Sequence, residues 1–214
     1  MKELNKYMQK GIDVIKFKLQ RVDENGKIIE KVNGATFENA TGEEAFALLY
    51  PTDVLLDSPC TYLFRKEYIN ENNFKFKVGT YHEDFGLIPI IIIKAKTVVS
   101  KDIYIYNYVQ SSESITRNED YEKTIKKMKD ALSQYDCMLS NIDELSDKSK
   151  EDIKIYYTNA ILLKLNELNK NDQKDFIKQI KERKMIQNIK IRNFKQLLKK
   201  IMLTISIKTY LKMR

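Results

Sequence analysis

Hydrophobic and polar residues alternate along the first part of the chain. Ile15, Phe17 and Leu19 are separated by single polar residues, and a period of two is typical of a strand with one buried face. Turn-forming residues occupy positions 23–26, so we expect residues 27–32 to return as the second strand of a hairpin. Two further strands are predicted over residues 98–100 and 103–108, which are rich in valine, isoleucine and tyrosine.

Helical signals lie between these predicted strands. Thr41 is the expected N-cap of a helix that runs to residue 50, and Glu44, three residues later, completes a capping box. Pro51 ends this helix because proline cannot donate a backbone hydrogen bond. Residues 65–72 have the composition of a second, shorter helix.

Residues 87–95 carry conflicting signals. Their run of isoleucines favours a strand by propensity. The acidic residue just ahead of them, and Pro89 in what would be the first helical turn, favour the start of a helix instead. The hydrophobic pattern alone leaves both alternatives open.

The pattern becomes helical after residue 118. No glycine or proline follows Asp120, and apolar residues recur every three or four positions. Breaks in this spacing fall at residues 140–147 and 169–172. We therefore expect an α/β part over residues 1–118, followed by an all-α C-terminal extension over residues 119–214.

The net charge of +8 is concentrated at one end of the chain. Residues 181–214 contain eleven Lys or Arg and one acid, so the remaining residues are close to neutral. A basic segment of this kind favours contact with an anionic surface. Residues 194–205 combine an apolar stripe with flanking lysines, which fits a helix on an anionic leaflet or a helix packed in a bundle. Aromatic residues do not interleave with the basic face, so no nucleic-acid partner is expected.

Composition narrows the compartment and the kinds of site. Cys60 and Cys137 are too few for a disulfide scaffold, and we expect both to be buried small apolar residues in a reducing compartment. The uncharged apolar run at residues 85–93 is too short to span a bilayer. The start of the chain has no apolar signal-peptide core. A cytoplasmic protein is expected, with peripheral contact at the inner face of the cell membrane through residues 181–214.

The densest polar chemistry lies at His82, Glu83 and Asp84. Adjacent carboxylates can divide labour, because one can accept a proton from a hydroxyl while the other orients that hydroxyl. An aspartate with an ordinary pKa is ionised at neutral pH and is available as a base. Glu-Asp pairs also occur in solvated turns and at helix N-termini, and His82 alone fits a structural role as well as a ligand-binding one.

Several segments between residues 57 and 117 together resemble the C-terminal half of the catalytic domain of family-two glycosyltransferases, which have the GT-A fold. The resemblance rests on their order and spacing rather than on any single piece. The segments are the acceptor-side stretch 59–69, the lead-in 73–79, the Glu-Asp motif within 81–85, the strand pair 95–98 and 103–108, and the closing turn 112–117.

This resemblance implies a fold and an activity. The family transfers a sugar from a nucleotide-sugar donor to a polysaccharide, cell-envelope glycan or lipid-linked acceptor, with inversion at the anomeric carbon. Asp84 would be the general base, and Glu83 would orient Asp84 or the acceptor. The resemblance also favours a helix over residues 87–96. The residues that it implies for substrate binding are His82, Arg65, Ser114 and Arg117.

The sequence departs from the family pattern on the donor side. Family members begin with a nucleotide-binding βαβ region that ends in an Asp-x-Asp motif, which holds Mn²⁺ or Mg²⁺ on the donor diphosphate. No Asp-x-Asp occurs in this sequence. The resemblance therefore implies the acceptor and base half of an enzyme, complemented by a separate N-terminal half. The alternative is an inactive remnant or an interaction module that docks on a membrane or a partner through its basic helices.

Overall fold

A curled mixed sheet forms the first layer of the protein in a computed structural model. The structure describes residues 11–53, 55–110, 120–189 and 200–201. Within them the strands are β1 (Val14–Val22), β2 (Ile28–Val32), β3 (Phe37–Ala40), β4 (Tyr62–Phe64) and β5 (Val98–Val109). The α-helices of the same residues are α1 (Gly42–Leu49), α2 (Lys66–Glu71), α3 (Glu83–Ile93), α4 (Tyr121–Leu139), α5 (Asp147–Lys164) and α6 (Lys170–Glu182). The fold class is mixed α/β, with about 51% helix.

Strand β1 is the centre of the sheet. One of its edges pairs antiparallel with β2 along its C-terminal half and with β4 along its N-terminal half. Its other edge pairs in parallel with β5, which in turn pairs antiparallel with β3. The predicted hairpin of β1 and β2 is confirmed, with Gly26 at a φ of 82° in the turn. The two strands predicted over 98–100 and 103–108 are one continuous strand, β5.

Local capping signals define α1 as the sequence predicts. The Thr41 hydroxyl accepts from the Glu44 amide, and the Glu44 carboxylate accepts from the Thr41 amide at 2.9 Å. Gly42 follows this cap, and its amide donates to the carbonyl of Ala95 at 2.8 Å. The start of α1 therefore lies directly against the chain that leaves α3.

The isoleucine-rich segment is a helix, as the resemblance favours and against its strand propensity. Helix α3 begins at Glu83, so Pro89 lies in the second turn and not in the first turn as expected. Because proline has no N–H, the carbonyl of Phe85 cannot receive the usual bond from four residues later. The hydroxyl of the fully buried Tyr157 on α5 donates to this carbonyl at 2.8 Å. Tertiary packing thus replaces the backbone bond that Pro89 removes.

One hydrophobic cluster joins the sheet-bearing part to the helices that follow. It contains Val14 and Val98 from the sheet, Phe46 from α1, and buried residues from α3, α4, α5 and α6. The described residues after 119 are helical, with breaks near the positions predicted from the spacing. The division of the chain at residue 118 stays a prediction, and the core described here runs across it.

The exposure of the two cysteines differs from the expectation. The prediction that both cysteines are buried is wrong, because Cys60 is only partly buried and Cys137 is exposed on α4. Cys137 belongs to the polar side of that amphipathic helix, next to an asparagine whose amide lies 3.8 Å from its sulfur.

Among the helices of the described residues, none has the length and apolar character needed to cross a membrane.

Candidate functional site

The Glu-Asp pair opens helix α3 directly behind a left-handed residue. His82 has φ 55° and ψ 44° and occupies the N-cap position without a side-chain capping bond. Non-glycine residues rarely adopt this conformation, and they concentrate at functional and strained positions. The next two side chains, Glu83 and Asp84, lie in the first helical turn.

Glu83 and Asp84 have different surroundings although they are adjacent. Glu83 is exposed, whereas Asp84 is partly buried. An oxygen of Asp84, Oδ1, accepts from the amide of Phe85 at 2.8 Å. Burial raises the pKa of Asp84, the amide bond opposes that effect, and repulsion from Glu83 adds to it. Asp84 is therefore a stronger base than a fully solvated aspartate.

Asp57 lies near Asp84 and has the more perturbed carboxyl group of the two. Burial and repulsion from Asp84 together raise the pKa of Asp57 to about 6, although the charge of Lys164 acts in the opposite direction. Two carboxyl groups in one partly buried environment resist simultaneous ionisation. Asp57 could not be predicted as a site residue, because nothing in its local sequence pattern distinguishes it from an ordinary loop acid.

Lys164, at the C-terminal end of α5, completes the cluster. Its Nζ lies 3.0 Å from Nε2 of His82. Burial, together with the charges of Lys164 and Lys127, lowers the pKa of His82 to about 4. Burial also lowers the pKa of Lys164, while Asp57 and Asp84 are among the acids that oppose this effect. A lysine eighty positions away in sequence gives no local signal that would connect it with His82.

A cavity of about 240 Å³ opens on the Glu83 side of α3. Its rim carries polar groups, including the side chains of Glu83 and Lys77, and its wall includes the ring of Phe74. A hydroxyl-rich ligand would find both acceptors and an aromatic face there. A larger cavity of about 690 Å³ lies between the N-termini of α1 and α5 and is lined by none of the predicted site residues.

Of the remaining predicted site residues, Arg65 makes its polar contacts away from this cluster. The guanidinium of Arg65 binds Asp13, with Nη2 at 2.7 Å and Nε at 3.1 Å from the same carboxylate oxygen. Asp13 also accepts from the Lys96 amide, so the pair connects β1, the start of α2 and the end of α3. Ser114 and Arg117 lie outside the described residues, and so does most of the basic segment 181–214.

The carboxylates of the cluster are a poor donor set for the divalent ion that the family resemblance implies. Within the ranges that the structure describes, no three metal-ligating side chains come together. Asp57 and Asp84 share their surroundings with the Lys164 ammonium, whose positive charge disfavours a cation at the same place. The expectation of Mn²⁺ or Mg²⁺ therefore finds no matching ligands among these residues.

Comparison with known proteins adds no family assignment. No protein-family model matches this chain, and no curated protein matches it.

Proposed function

We propose that this chain carries the acceptor-binding and general-base part of an inverting glycosyltransferase. The observation that carries the proposal is the position of Asp84, a partly buried carboxylate with a raised pKa at the start of α3. The ordered segments between residues 57 and 117 that resemble family-two enzymes support the same reaction. The substrates would be a nucleotide-sugar donor and a glycan or lipid-linked acceptor.

Asp84 would remove the proton from the acceptor hydroxyl. As the hydroxyl oxygen bonds to the anomeric carbon, the bond from that carbon to the nucleoside diphosphate breaks, and the proton passes to a carboxylate oxygen of Asp84. A carboxylate whose pKa is raised accepts this proton more readily, since base strength increases with pKa. Asp57, whose pKa is about 6, is partly protonated just below neutral pH and limits the negative charge beside Asp84.

Glu83 would contact the acceptor from the other side of the turn. It is exposed and lines the 240 Å³ cavity, which suits a saccharide unit with hydroxyl donors. Phe74 in the same cavity can pack against the apolar face of a sugar ring. The two adjacent acids would therefore have separate tasks, proton acceptance by Asp84 and acceptor recognition by Glu83.

The test compares Asp84→Asn with Asp143→Asn, an exposed aspartate in the turn before α5. The readout is release of nucleoside diphosphate and formation of glycan product from a panel of nucleotide-sugars and acceptors, with Mn²⁺ present. Loss of a general base lowers the rate by about 10²- to 10⁴-fold, and we expect that loss for Asp84→Asn alone. Unchanged transfer by Asp84→Asn would remove the proposed role.

Acceptor binding gives a second readout that does not depend on turnover. On a glycan array, Asp84→Asn is expected to keep the binding profile of the unmodified chain, while Glu83→Gln weakens it. Asp143→Asn again serves as the matched surface control. Absence of saccharide binding by the unmodified chain, together with absence of transfer, would instead favour an interaction module without sugar chemistry.

The basic segment 181–214 supports a membrane-proximal location for this reaction. Its net positive charge would attract anionic lipid, with about 1 kcal/mol for each Lys or Arg near the surface. We expect the chain to float with liposomes that contain anionic lipid and to remain unbound to neutral ones. High salt should weaken the binding. Failure to bind anionic liposomes at low salt would exclude the peripheral location.

A further inference from the structure

The end of α5 brings a lysine to the turn in front of Asp84. Lys164 is partly buried, and its Nζ lies 3.0 Å from Nε2 of His82. Lys164 belongs to the helical part of the chain, outside the segment 57–117 on which the glycosyltransferase resemblance rests. Its contact therefore gives that part of the chain a direct connection to the Glu-Asp motif.

We propose that Lys164 is a positioning residue for Asp84. The ammonium of Lys164 donates a hydrogen bond to Nε2 of His82 and faces the carboxyl groups of Asp57 and Asp84. The inference rests on the proposed function for the identity of the base. It adds the residue that holds the turn of this base in place, and it assigns the proton of the neutral imidazole to Nδ1.

The geometry favours this arrangement of protons. His82 makes no capping bond to the start of α3, and its Nε2 lies against the Nζ of Lys164 instead. A lysine ammonium has three donors and no acceptor, so the imidazole nitrogen that faces it must be the unprotonated one. A protonated imidazole at 3.0 Å from an ammonium would place two positive donors against each other.

Charged groups from three helices face the imidazole. Lys164 comes from α5, Lys127 and Asp130 come from α4, and Glu83 comes from α3. The two lysines lower the pKa of His82, and the two acids raise it. Only Lys164 among them is within hydrogen-bond distance of the ring, so removing Lys127 would change the charge around His82 without changing its hydrogen bond.

Lys164 also acts on the two carboxyl groups of the cluster. Its charge lowers the pKa of Asp57 and of Asp84. Removal of the ammonium would therefore raise both of these pKa values and leave Asp84 protonated over a wider range of pH. A base that is already protonated cannot accept the proton of an acceptor hydroxyl.

The test uses the full chain labelled with ¹⁵N-histidine, in which His82 gives the only imidazole signals. At neutral pH we expect a neutral ring with Nδ1 protonated, and a titration well below the ordinary His pKa of about 6.5. Lys164→Met should move the titration towards the ordinary value and shift the ring to a mixture of tautomers. Lys127→Met should raise the pKa of His82 but leave the Nδ1–H tautomer unchanged.

Lys164→Arg keeps a donor at this position and should preserve the tautomer if the contact is a hydrogen bond. Carbon-detected titration of the aspartate carboxyls should show higher pKa values for Asp57 and Asp84 in Lys164→Met. A ring protonated on Nε2 in the unmodified chain would overturn the inference even if Lys164→Met failed to fold. Unchanged carboxyl titrations in a folded Lys164→Met would overturn it as well.

Failure of this inference and failure of the proposed function are separable. The imidazole and carboxyl spectra are measured without any substrate. If Asp84→Asn keeps full transfer while the spectra behave as expected, the assignment of the base is wrong but the role of Lys164 in the turn stands. If Asp84→Asn loses transfer while His82 carries its proton on Nε2, the function stands and the role of Lys164 does not.

Discussion

The hydrogen bond from Tyr157 to helix α3 predicts a specific coupling between two residues on different helices. Pro89 leaves the carbonyl of Phe85 without its backbone donor, and the Tyr157 hydroxyl supplies one at 2.8 Å. Tyr157 is 0% exposed, so no water can replace the hydroxyl in Tyr157→Phe. A buried carbonyl without a partner costs about 1–3 kcal/mol. We expect Tyr157→Phe to lower the free energy of unfolding by that amount.

Pro89→Ala should suppress most of this loss. Alanine restores an N–H four residues after Phe85, so the carbonyl regains a backbone donor within the helix. In the Pro89→Ala background we expect Tyr157→Phe to cost less than about 1 kcal/mol. The aromatic contact between Phe85 and residue 157, with ring centroids 4.5 Å apart, is kept by phenylalanine. The double-mutant cycle therefore isolates the hydroxyl.

Tyr68 on α2 provides the matched control, because its hydroxyl also bonds to a carbonyl of α3. Its hydroxyl donates to the carbonyl of Ile91 at 2.7 Å, and its side chain is also buried. The amide four residues after Ile91 belongs to Ala95 and donates to the carbonyl of Ile92 instead. Tyr68→Phe should therefore cost a similar amount, but Pro89→Ala should not reduce that cost.

Urea denaturation followed by far-UV circular dichroism measures all of these variants. The comparison is valid where the dependence of the unfolding free energy on urea is the same for each variant. Equal costs of Tyr157→Phe with proline and with alanine at position 89 would refute the explanation. A cost of Tyr157→Phe too small to measure would show that the buried carbonyl finds another donor.

Three further predictions concern the links between the sheet, α1 and α5. Lys16→Met should destabilise the fold by about 3–5 kcal/mol in urea denaturation, because it leaves the buried Asp53 carboxylate without the ion-pair partner that lies 3.0 Å away. Adding Asp53→Asn to this variant should restore most of the lost stability. Gly42→Ala should lower the free energy of unfolding by at least about 1–3 kcal/mol, since the added Cβ would lie 2.4–2.6 Å from three carbonyl oxygens. Gly34→Ala is the control and should change stability little, because the nearest atom to its Cβ would be 3.5 Å away. Burial raises the pKa of Glu43, but hydrogen bonds from two serines at the start of α5 outweigh that effect and lower the pKa below 4.5. The contribution of the Glu43 carboxylate to stability is therefore full above pH 4.5 and is lost as the pH falls through the folded-state pKa. Thermal melts of Glu43→Gln and of the unmodified chain should differ at neutral pH and converge in acid.

The elements that could be predicted from sequence are those whose determinants are neighbours in the chain. The β1–β2 hairpin follows from alternation and a glycine turn, and the start of α1 follows from Thr41 and Glu44. Each depends on contacts within a few residues, so a local pattern contains the needed information. The Glu-Asp pair was also visible, because its two carboxylates are adjacent in the sequence.

The features that escaped prediction depend on residues distant in sequence. The isoleucine run has strand propensity, yet it is a helix whose apolar residues are covered by α1, α4 and α5. A side chain on every face of α3 is buried or partly buried, so amphipathic periodicity is weak there and propensity alone misleads. Asp57 and Lys164 become candidate site residues only because the fold brings a loop close to Asp84 and the end of a helix to His82.

Helix α5 connects stability and the proposed chemistry through one of its faces. Tyr157 and Lys164 are seven residues apart, which is two helical turns, so both side chains lie on the same side of α5. The first supplies the donor that Pro89 removes from Phe85, and the second contacts His82, three residues before Phe85. The start of α3 is therefore held at two points by a helix that lies outside residues 57–117. Because Asp84 lies between those two points, its position depends on α5 as much as on its own motif. A chain truncated before α5 should lose the geometry of the proposed base along with the buried core.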